Sequence, residues 1–152
     1  MNRLAPFLMI LLGTFAAPLA AKDVGLGQDL QTAIAGAHPG DVLTLAAGVH
    51  KGPILIDRAL TLTGVGAVID GQGQGTVVTI TGDDVVLSGL TIRHSGRSSP
   101  DLDAGVKIVK GADRARITDN RFEDNLHGVD VHGSHNSLVA RKVIVGLSLA
   151  RR

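Results

Sequence analysis

Three histidines lie close together late in the sequence, at His127, His132 and His135. Imidazole is a frequent ligand of transition metals, and it suits Cu(II). At a rise of about 3.3 Å per residue, an extended strand separates His127 from His132 by about 15 Å, too far to share one ion. His132 and His135 are therefore the candidate metal ligands, with copper as the possible ion. The competing hypothesis, which such weak spacing favours, is that these are ordinary surface histidines at turns.

Carboxylates are the second group that could do chemistry. Glycoside hydrolysis needs two carboxyl groups roughly 5 to 10 Å apart. The available acids are Asp83 with Asp84, Asp101 with Asp103, and Asp130. Turn formation and loop solvation explain the first two pairs. With three Phe and no Trp or Tyr, aromatic rings that stack on sugars are also scarce. We therefore expect a non-enzymatic protein, and the alternative is a carbohydrate-active enzyme, either a polysaccharide lyase or a hydrolase.

A repeat of about 22 residues must position these side chains. Gly111 and Gly133 are 22 residues apart, and so are Phe122 and Ile144. Apolar spacing predicts one helix over residues 28–37, after which the period changes to two. Short β-branched runs then alternate with Gly, Asp or Asn turns. The runs cover residues 42–45, 54–56, 60–62, 68–69, 77–80, 85–87, 90–92, 106–108, 116–117 and 129–131.

This pattern predicts an all-β chain folded as a right-handed parallel β-helix, a pectin-lyase-like solenoid with about 22 residues per coil. A β-sandwich is the alternative fold, but it explains neither the register nor the lack of aromatics. The expected inward columns are Val78, Val106, Val129 and Ile80, Ile108, Val131, and the outward column is Thr79, Lys107, Asp130. Lys107 and Asp130 should attract each other across the ladder. Asn120 and Asn125 should occupy left-handed turn positions and bond to their neighbours in the stack.

The two ends of the solenoid differ. A bare terminal coil exposes apolar side chains and strand edges, so the helix over residues 28–37 is expected to cap the N-terminal end. The C-terminal end is expected to be uncapped, because residues 143–152 keep an apolar strand pattern. We therefore interpret residues 22–152 as one incomplete β-helix domain. The polar stretch 96–103 is predicted to project as a loop from one turn.

Residues 1–21 have the layout of a secretory signal peptide. Cleavage is expected after Ala21, or after Ala20, and the alternative is a retained membrane anchor. The apolar run is too short to span a bilayer, so no membrane span is expected after cleavage. Without Arg3 the charges balance, which excludes a nucleic-acid partner attracted by bulk charge. An exported chain without cysteine suits a bacterial periplasm.

An ordered series of motifs resembles the start of the NosD family, the periplasmic accessory proteins of nitrous oxide reductase maturation. The motifs are AHPGDVL from Ala37, AGVHKGP from Ala47, LTL from Leu60, AVIDG from Ala67, LTIRHSG from Leu90, DAGV from Asp103 and DNRFEDNLHGV from Asp119. The resemblance implies a β-helix that works with an ABC-type transporter and a copper chaperone to supply copper to that reductase. Lys142, where the repeat favours Asn, departs from the pattern, as does the stretch 147–152.

Overall fold

A computed structural model describes residues 19–146, which form fifteen strands and one helix. Most of the predicted signal peptide, residues 1–18, and the last six residues lie outside this range. The strands are β1 Ala21–Val24, β2 Val42–Leu45, β3 Gly48–Lys51, β4 Ile54–Ile56, β5 Leu60–Thr63, β6 Ala67–Asp70, β7 Val78–Ile80, β8 Val85–Ser88, β9 Thr91–Arg93, β10 Ala104–Ile108, β11 Arg116–Thr118, β12 Arg121–Glu123, β13 His127–Val131, β14 Leu138–Ala140 and β15 Val143–Val145, and the helix α1 is Leu30–Ala35.

The strands form three sheets that run along one solenoid. Sheet A has the order β1-β2-β5-β8-β11-β14, sheet B the order β3-β6-β9-β12-β15 and sheet C the order β4-β7-β10-β13. All pairs described between residues 19 and 146 are parallel, and each complete coil gives one strand to each sheet. The chain is a parallel β-helix, as predicted, and the β-sandwich alternative is wrong.

The predicted register of sheet C is confirmed. Val106 pairs with Val78 on one side and Val129 on the other, while Ile108 pairs with Ile80 and Val131. The residues of β7 and β10 in these columns are fully buried, whereas Val131, on the edge strand, is 46% exposed. Similar columns of Leu and Ile fill the interior from sheets A and B, so aliphatic stacking supplies the core, with Phe122 also fully buried.

One predicted contact in sheet C is not made. Lys107 does pair with Asp130 in register. Its ammonium, however, donates to the carbonyl oxygen of Asp101 at 2.5 Å, and Asp130 interacts with His132 at 2.8 Å. Lys107 and Asp130 are thus neighbours in the ladder, as predicted, but within the described residues their side chains form no ion pair because each has another partner.

Asn120 and Asn125 bond to the preceding coil, as predicted, but not from left-handed positions. The positive φ angles belong to the residues before them, Asp119 at 58° and Asp124 at 50°. Each Asp turns the chain, and each Asn then points inward. Asn120 accepts from the Leu90 amide at 3.0 Å and donates to the Leu87 carbonyl at 2.8 Å. The side-chain amide thus satisfies backbone groups that the turn leaves without a ladder partner.

Helix α1 covers the N-terminal end of the solenoid, although it is shorter than the predicted 28–37. Asp29 is its N-cap and accepts from the Thr32 amide at 2.7 Å, while Gly36 ends it. Two buried side chains, Leu30 and Ile34, face the core. At the other end, Arg58 donates to the carbonyl oxygen of Ala37 at 3.0 Å, which satisfies a group left free where the helix ends.

Gln31 protects the edge of sheet C. Its side-chain amide donates to the Leu55 carbonyl at 3.1 Å and accepts from the Leu55 amide at 2.8 Å, as a neighbouring strand would. We expect Gln31→Ala to lower the free energy of unfolding by about 1 kcal/mol and to promote aggregation, because both edge groups of β4 lose their partner. Chemical denaturation and light scattering measure the two effects. Gln74→Ala is the control, since it removes the same side chain from an exposed turn. Equal behaviour of the two variants would contradict this role.

Candidate functional site

Polar residues are concentrated where the chain passes from sheet B to sheet C. Two consecutive coils carry their longest connections at this corner, residues 71–77 and 94–103. The predicted loop 96–103 is part of the second connection. The chain enters the corner from β6, β9 and β12, which are neighbours in sheet B. Side chains at the ends of these strands, distant in sequence, therefore lie side by side.

A column of alternating charge runs across sheet B into this corner. Lys51 pairs in register with Asp70, Asp70 with Arg93, and Arg93 with Glu123. Because adjacent parallel strands lie about 4.8 Å apart, each charge is next to an opposite one. Arg121 stands in the neighbouring column and contacts Glu123. We call these five residues the charged face.

Asp70 accepts three hydrogen bonds at the centre of the corner. The Gln72 amide donates at 2.8 Å, Arg93 Nε lies at 2.9 Å and His94 Nδ1 at 3.0 Å. The other ring nitrogen of His94 lies 3.6 Å from Asp124 Oδ2, so one imidazole links two carboxylates, one from the coil before its own and one from the coil after it. Burial alone would raise the pKa of Asp70, but the bonds from Gln72, Arg93 and His94 together hold that pKa below its usual value.

The lowered pKa of Asp70 predicts a loss of stability in acid. A carboxyl whose pKa is lower in the folded than in the unfolded state stabilises the fold above its ordinary pKa. That contribution disappears as the pH falls through the lowered pKa. We expect Asp70→Asn to be less stable than wild type at neutral pH and to approach wild type below the ordinary carboxyl range. Thermal unfolding across that range tests this, with the exposed Asp23→Asn as the control. A constant difference between wild type and Asp70→Asn at all pH values would contradict it.

The loop at residues 96–103 is tied to the solenoid at its base. The Gly96 amide donates to the Gly75 carbonyl at 2.7 Å, which joins the two long connections. Asp103, which is only 6% exposed, accepts from the Ser98 amide at 2.8 Å. Lys107 holds the other side of the loop through Asp101. The loop is therefore an anchored projection beside the charged face.

The structure gives the two predicted metal ligands separate partners. His132 Nε2 lies 2.8 Å from Asp130 Oδ2, while His135 Nδ1 lies 3.2 Å from Asp113 Oδ1 in the preceding coil. Both rings are exposed, at 51% and 79%. His127 begins β13 and donates its backbone amide to the Asp103 carbonyl. Within residues 19–146, no group of three or more His, Cys, Asp or Glu side chains is arranged to hold a metal. Metal binding at His132 and His135 stays a prediction.

The predicted acids stabilise turns. Arg114 donates to Asp84 at 2.8 Å through both Nε and Nη2, and to Asp83 at 3.0 Å. The bond from Arg114 lowers the pKa of Asp84, against the smaller opposite effect of burial. Asp83 also accepts from the Asp113 amide at 2.9 Å, so this pair joins one turn to the turn of the next coil.

The charged face and the Asp70 cluster were not predicted from the sequence. The signal for them is the register itself: once β6, β9 and β12 are aligned, Asp70, Arg93 and Glu123 fall in one column. This signal is hard to see because Asp70, His94 and Asp124 are unequally spaced along the chain. The loop at residues 96–103 lies between His94 and Asp124 and lengthens that interval.

His50 is a second feature that the sequence did not reveal. It occupies an inward position of β3, is 2% exposed, and is followed in the same column by Ile69 and Ile92. Its Nε2 lies 2.8 Å from the Ala46 carbonyl oxygen, whereas its Nδ1 is buried without a hydrogen-bond partner. The bond to Ala46 requires the proton on Nε2, because a carbonyl oxygen only accepts.

The part of the chain that the structure describes contains no helix with the length and apolar character to cross a bilayer. Neither a family model nor a solved structure gives a significant match to the sequence.

Three proteins with the same name are similar in sequence. The "Probable ABC transporter binding protein NosD" of Stutzerimonas stutzeri is 35% identical over 103 residues, which are 67% of this chain and 24% of that protein. The protein of the same name from Pseudomonas aeruginosa strain PAO1 is 37% identical over 87 residues, 57% of this chain and 20% of that protein. A further P. aeruginosa protein of this name is 37% identical over 66 residues, which are 43% of this chain and 61% of that protein. The chain thus spans about a quarter or less of the first two relatives. This similarity in sequence shows that the chain is NosD-like.

Proposed function

We propose that this chain supplies a rigid, non-catalytic β-helix scaffold to a periplasmic system built around an ABC-type transporter. The observation that carries the proposal is the 35% identity over 103 residues to a protein named as a probable ABC transporter binding protein. The proposal assigns export to residues 1–21 and the scaffold to residues 22–152. Stacked coils suit this task because they hold outward side chains at fixed spacing over a long surface.

The charged face is the surface that we assign to the transporter. Fixed charges of both signs give an interface its register and its rate of encounter more than its affinity. Arg121 of the charged face is 47% exposed, and His94 beside the face is 41% exposed, so both can contact a partner. The anchored loop at residues 96–103 stands beside them and widens the contact area. Asp70 and Arg93 are less exposed, at 13% and 30%, and hold the corner in shape.

Reversing charges on this face tests the assignment. Lys51→Glu and Arg121→Glu change exposed positions outside the Asp70 cluster. We expect the pair of substitutions to weaken binding to the purified ABC-type transporter of the same organism by about tenfold, mainly through slower association. Thr79→Glu, on the outward face of sheet C, is the matched control and should bind as wild type does. Surface plasmon resonance at low and high salt measures the association and dissociation rates of the double variant and of the control. Unchanged binding by Lys51→Glu/Arg121→Glu, with normal folding, would contradict the assignment.

The finer role that we propose is copper delivery during maturation of nitrous oxide reductase, together with a copper chaperone. The resemblance to NosD supports this role. His132 and His135 are the residues that we assign to transient contact with Cu(II), since imidazole is a suitable ligand and both rings are exposed. Deleting the gene should leave the reductase deficient in copper, as measured by metal analysis of the purified enzyme. Copper titration of wild type and of His132→Ala/His135→Ala tests the assignment of Cu(II) contact to these two residues separately from the role in copper delivery. Identical titration curves for wild type and variant would show that the two histidines do not bind copper.

A further inference from the structure

The first complete coil, formed by β2, β3 and β4, is covered differently on its three sheets. In sheet A, the additional strand β1 pairs with β2. In sheet C, the Gln31 side chain bonds to both edge groups of Leu55 in β4. In sheet B, β3 is the end strand, and no strand or side chain between residues 19 and 146 pairs with its outer edge. The coil is therefore covered on two sheets and open on the third.

The open edge of β3 presents four backbone groups. The amides of Gly48 and Gly52 donate to carbonyl oxygens of the next coil at 3.0 Å and 2.8 Å. Alternate residues of a strand turn their backbone groups to opposite sides, so Val49 and Lys51 turn theirs away from the next coil. In the described part of the chain, neither residue has a hydrogen-bond partner for its amide or its carbonyl. An unpaired edge of this kind is a template for another strand.

A cavity of about 280 Å³ lies beside this edge. Residues 26–30, which comprise the loop before helix α1 and the first residue of the helix, form one wall. Val49, His50 and Lys51 of β3 form the other wall. The cavity therefore adjoins the edge at which one more strand of sheet B would pair.

His50 gives the cavity a buried polar group. It is the first member of an inward column of sheet B that continues with Ile69, Ile92 and Phe122. Its Nε2 donates to the Ala46 carbonyl oxygen, which leaves Nδ1 as an acceptor, and this atom is buried without a partner. The inward side chain of an added strand would be the next member of this column. A hydroxyl group at that position can donate to Nδ1.

The outward side chains of β3 set the remaining preferences. Val49 is 49% exposed, so an apolar neighbour would cover it. Lys51 is exposed and forms no ion pair within residues 19–146, since Asp70 beside it bonds to other side chains. An acidic neighbour would therefore pair with Lys51. Asp29, on the opposite wall, is already the acceptor for the Thr32 amide at the start of helix α1.

We propose that this cavity binds an extended segment of another polypeptide, which adds to β3 as a parallel strand. The segment has an apolar, a hydroxyl-bearing and an acidic residue, opposite Val49, His50 and Lys51 in that order. Its middle residue donates its amide to the Val49 carbonyl and accepts from the Lys51 amide, while the flanking peptide groups bond to the other two edge groups. Main-chain bonds supply the affinity, and the three side chains supply the specificity. The inference stands independently of the proposed function.

The capped tripeptide acetyl-Val-Thr-Glu-amide is the probe, because its backbone and caps can make all four bonds. Titration into the purified, isotope-labelled chain, followed by NMR, should shift the amide signals of residues 26–30 and 48–52, with a dissociation constant of about 1 mM. N-methylation of the threonine amide should abolish binding, since it removes the bond to the Val49 carbonyl. Valine in place of the peptide threonine should weaken binding about fivefold, because no hydroxyl then reaches His50 Nδ1.

Charge exchange at Lys51 gives a second readout. Wild type should bind acetyl-Val-Thr-Lys-amide about fivefold more weakly than the glutamate peptide, and Lys51→Glu should reverse this preference. Arg116→Glu, a reversal at an exposed position of sheet A, is the control and should bind both peptides as wild type does.

Three results would overturn the proposal. The first is the absence of any shift at peptide concentrations up to about 10 mM. The second is equal binding of the N-methylated peptide, which would mean that strand pairing is not involved. The third is a set of shifts confined to β15, the end strand on the other side of sheet B, instead of β3.

Discussion

Gly82→Ala should lower the free energy of unfolding by about 3 kcal/mol or more, the largest effect that we expect from a single methyl group in this chain. A Cβ atom at Gly82 would lie 2.3 Å from the Arg58 nitrogen and 2.5 Å from the Asp57 carbonyl carbon. Both atoms belong to the backbone of the preceding coil, which cannot rotate away as a side chain would. Relief of the clash requires two coils to separate, and this breaks parallel pairing on both sides of the turn.

Gly27→Ala is the matched control for this prediction. No atom lies within 4 Å of a Cβ built on Gly27, and its φ angle is not in the left-handed region. Its stability should stay within about 1 kcal/mol of wild type. Urea denaturation of the two variants, followed by circular dichroism, measures the difference. Similar stability of Gly82→Ala and Gly27→Ala would mean that successive turns are not in backbone contact.

Asn120→Ala is expected to lower the free energy of unfolding by about 3 kcal/mol. Asn120 is 2% exposed, and its side chain bonds to the Leu90 amide and the Leu87 carbonyl. Alanine leaves both backbone groups buried without a partner, and such groups cost about 1 to 3 kcal/mol each. No solvent reaches the turn to replace the bonds. The effect should therefore exceed that of removing a surface hydrogen bond severalfold.

Asn125→Ala separates the cost of burial from the loss of hydrogen bonds. Asn125 makes the same two kinds of bond, accepting from the Ser95 amide at 3.1 Å and donating to the Ile92 carbonyl at 2.9 Å. Asn125 itself is only partly buried, whereas Ser95 and Ile92 are buried, so alanine at this position opens a path for water to the two groups. We expect a loss of about 1 kcal/mol, measured by the same denaturation. Equal losses for the two variants would contradict the role of burial.

The coil register could be predicted from the sequence because its strongest signal is local. In sheet C, β-branched residues alternate with polar ones, and the 22- or 23-residue spacing aligns one coil with the next. The stacking of Val106 on Val129 could therefore be predicted from the pattern alone. The same logic placed a short helix before the first complete coil, where an apolar end must be covered.

Some strands were harder to predict because their sequences hide the alternation of apolar and polar residues, namely β3 and β12 of sheet B and β1 of sheet A. β3 has an exposed Val49 and a buried His50, which reverses the usual pattern. β12 has one apolar residue, Phe122, between two charged ones, and β1 contains the charged Lys22 and Asp23. These strands form because their neighbours in the stack pair with them. Tertiary context supplies what local propensity does not.

The candidate site lies where three strands of sheet B end, and one of the three, β12, was not predicted. Asp70, His94 and Asp124 are each at the end of a strand of sheet B, or just beyond it, on three successive coils. Sequence reasoning selected His132 and His135 because they are close along the chain. The structure instead brings together groups that are 24 and 30 residues apart, since the loop at residues 96–103 lengthens the coil between them.

Paired cysteines test the stacking of the coils most directly. Thr79, Lys107 and Asp130 follow one another in the outward column of sheet C, and the natural chain has no cysteine. Adjacent members are about 4.8 Å apart at Cα, within the disulfide range, whereas Thr79 and Asp130 are about twice as far apart. Oxidation should close Thr79→Cys/Lys107→Cys and Lys107→Cys/Asp130→Cys within one chain, as seen by mass spectrometry. Thr79→Cys/Asp130→Cys should stay reduced. Closure of this last pair as readily as the other two would contradict the parallel β-helix.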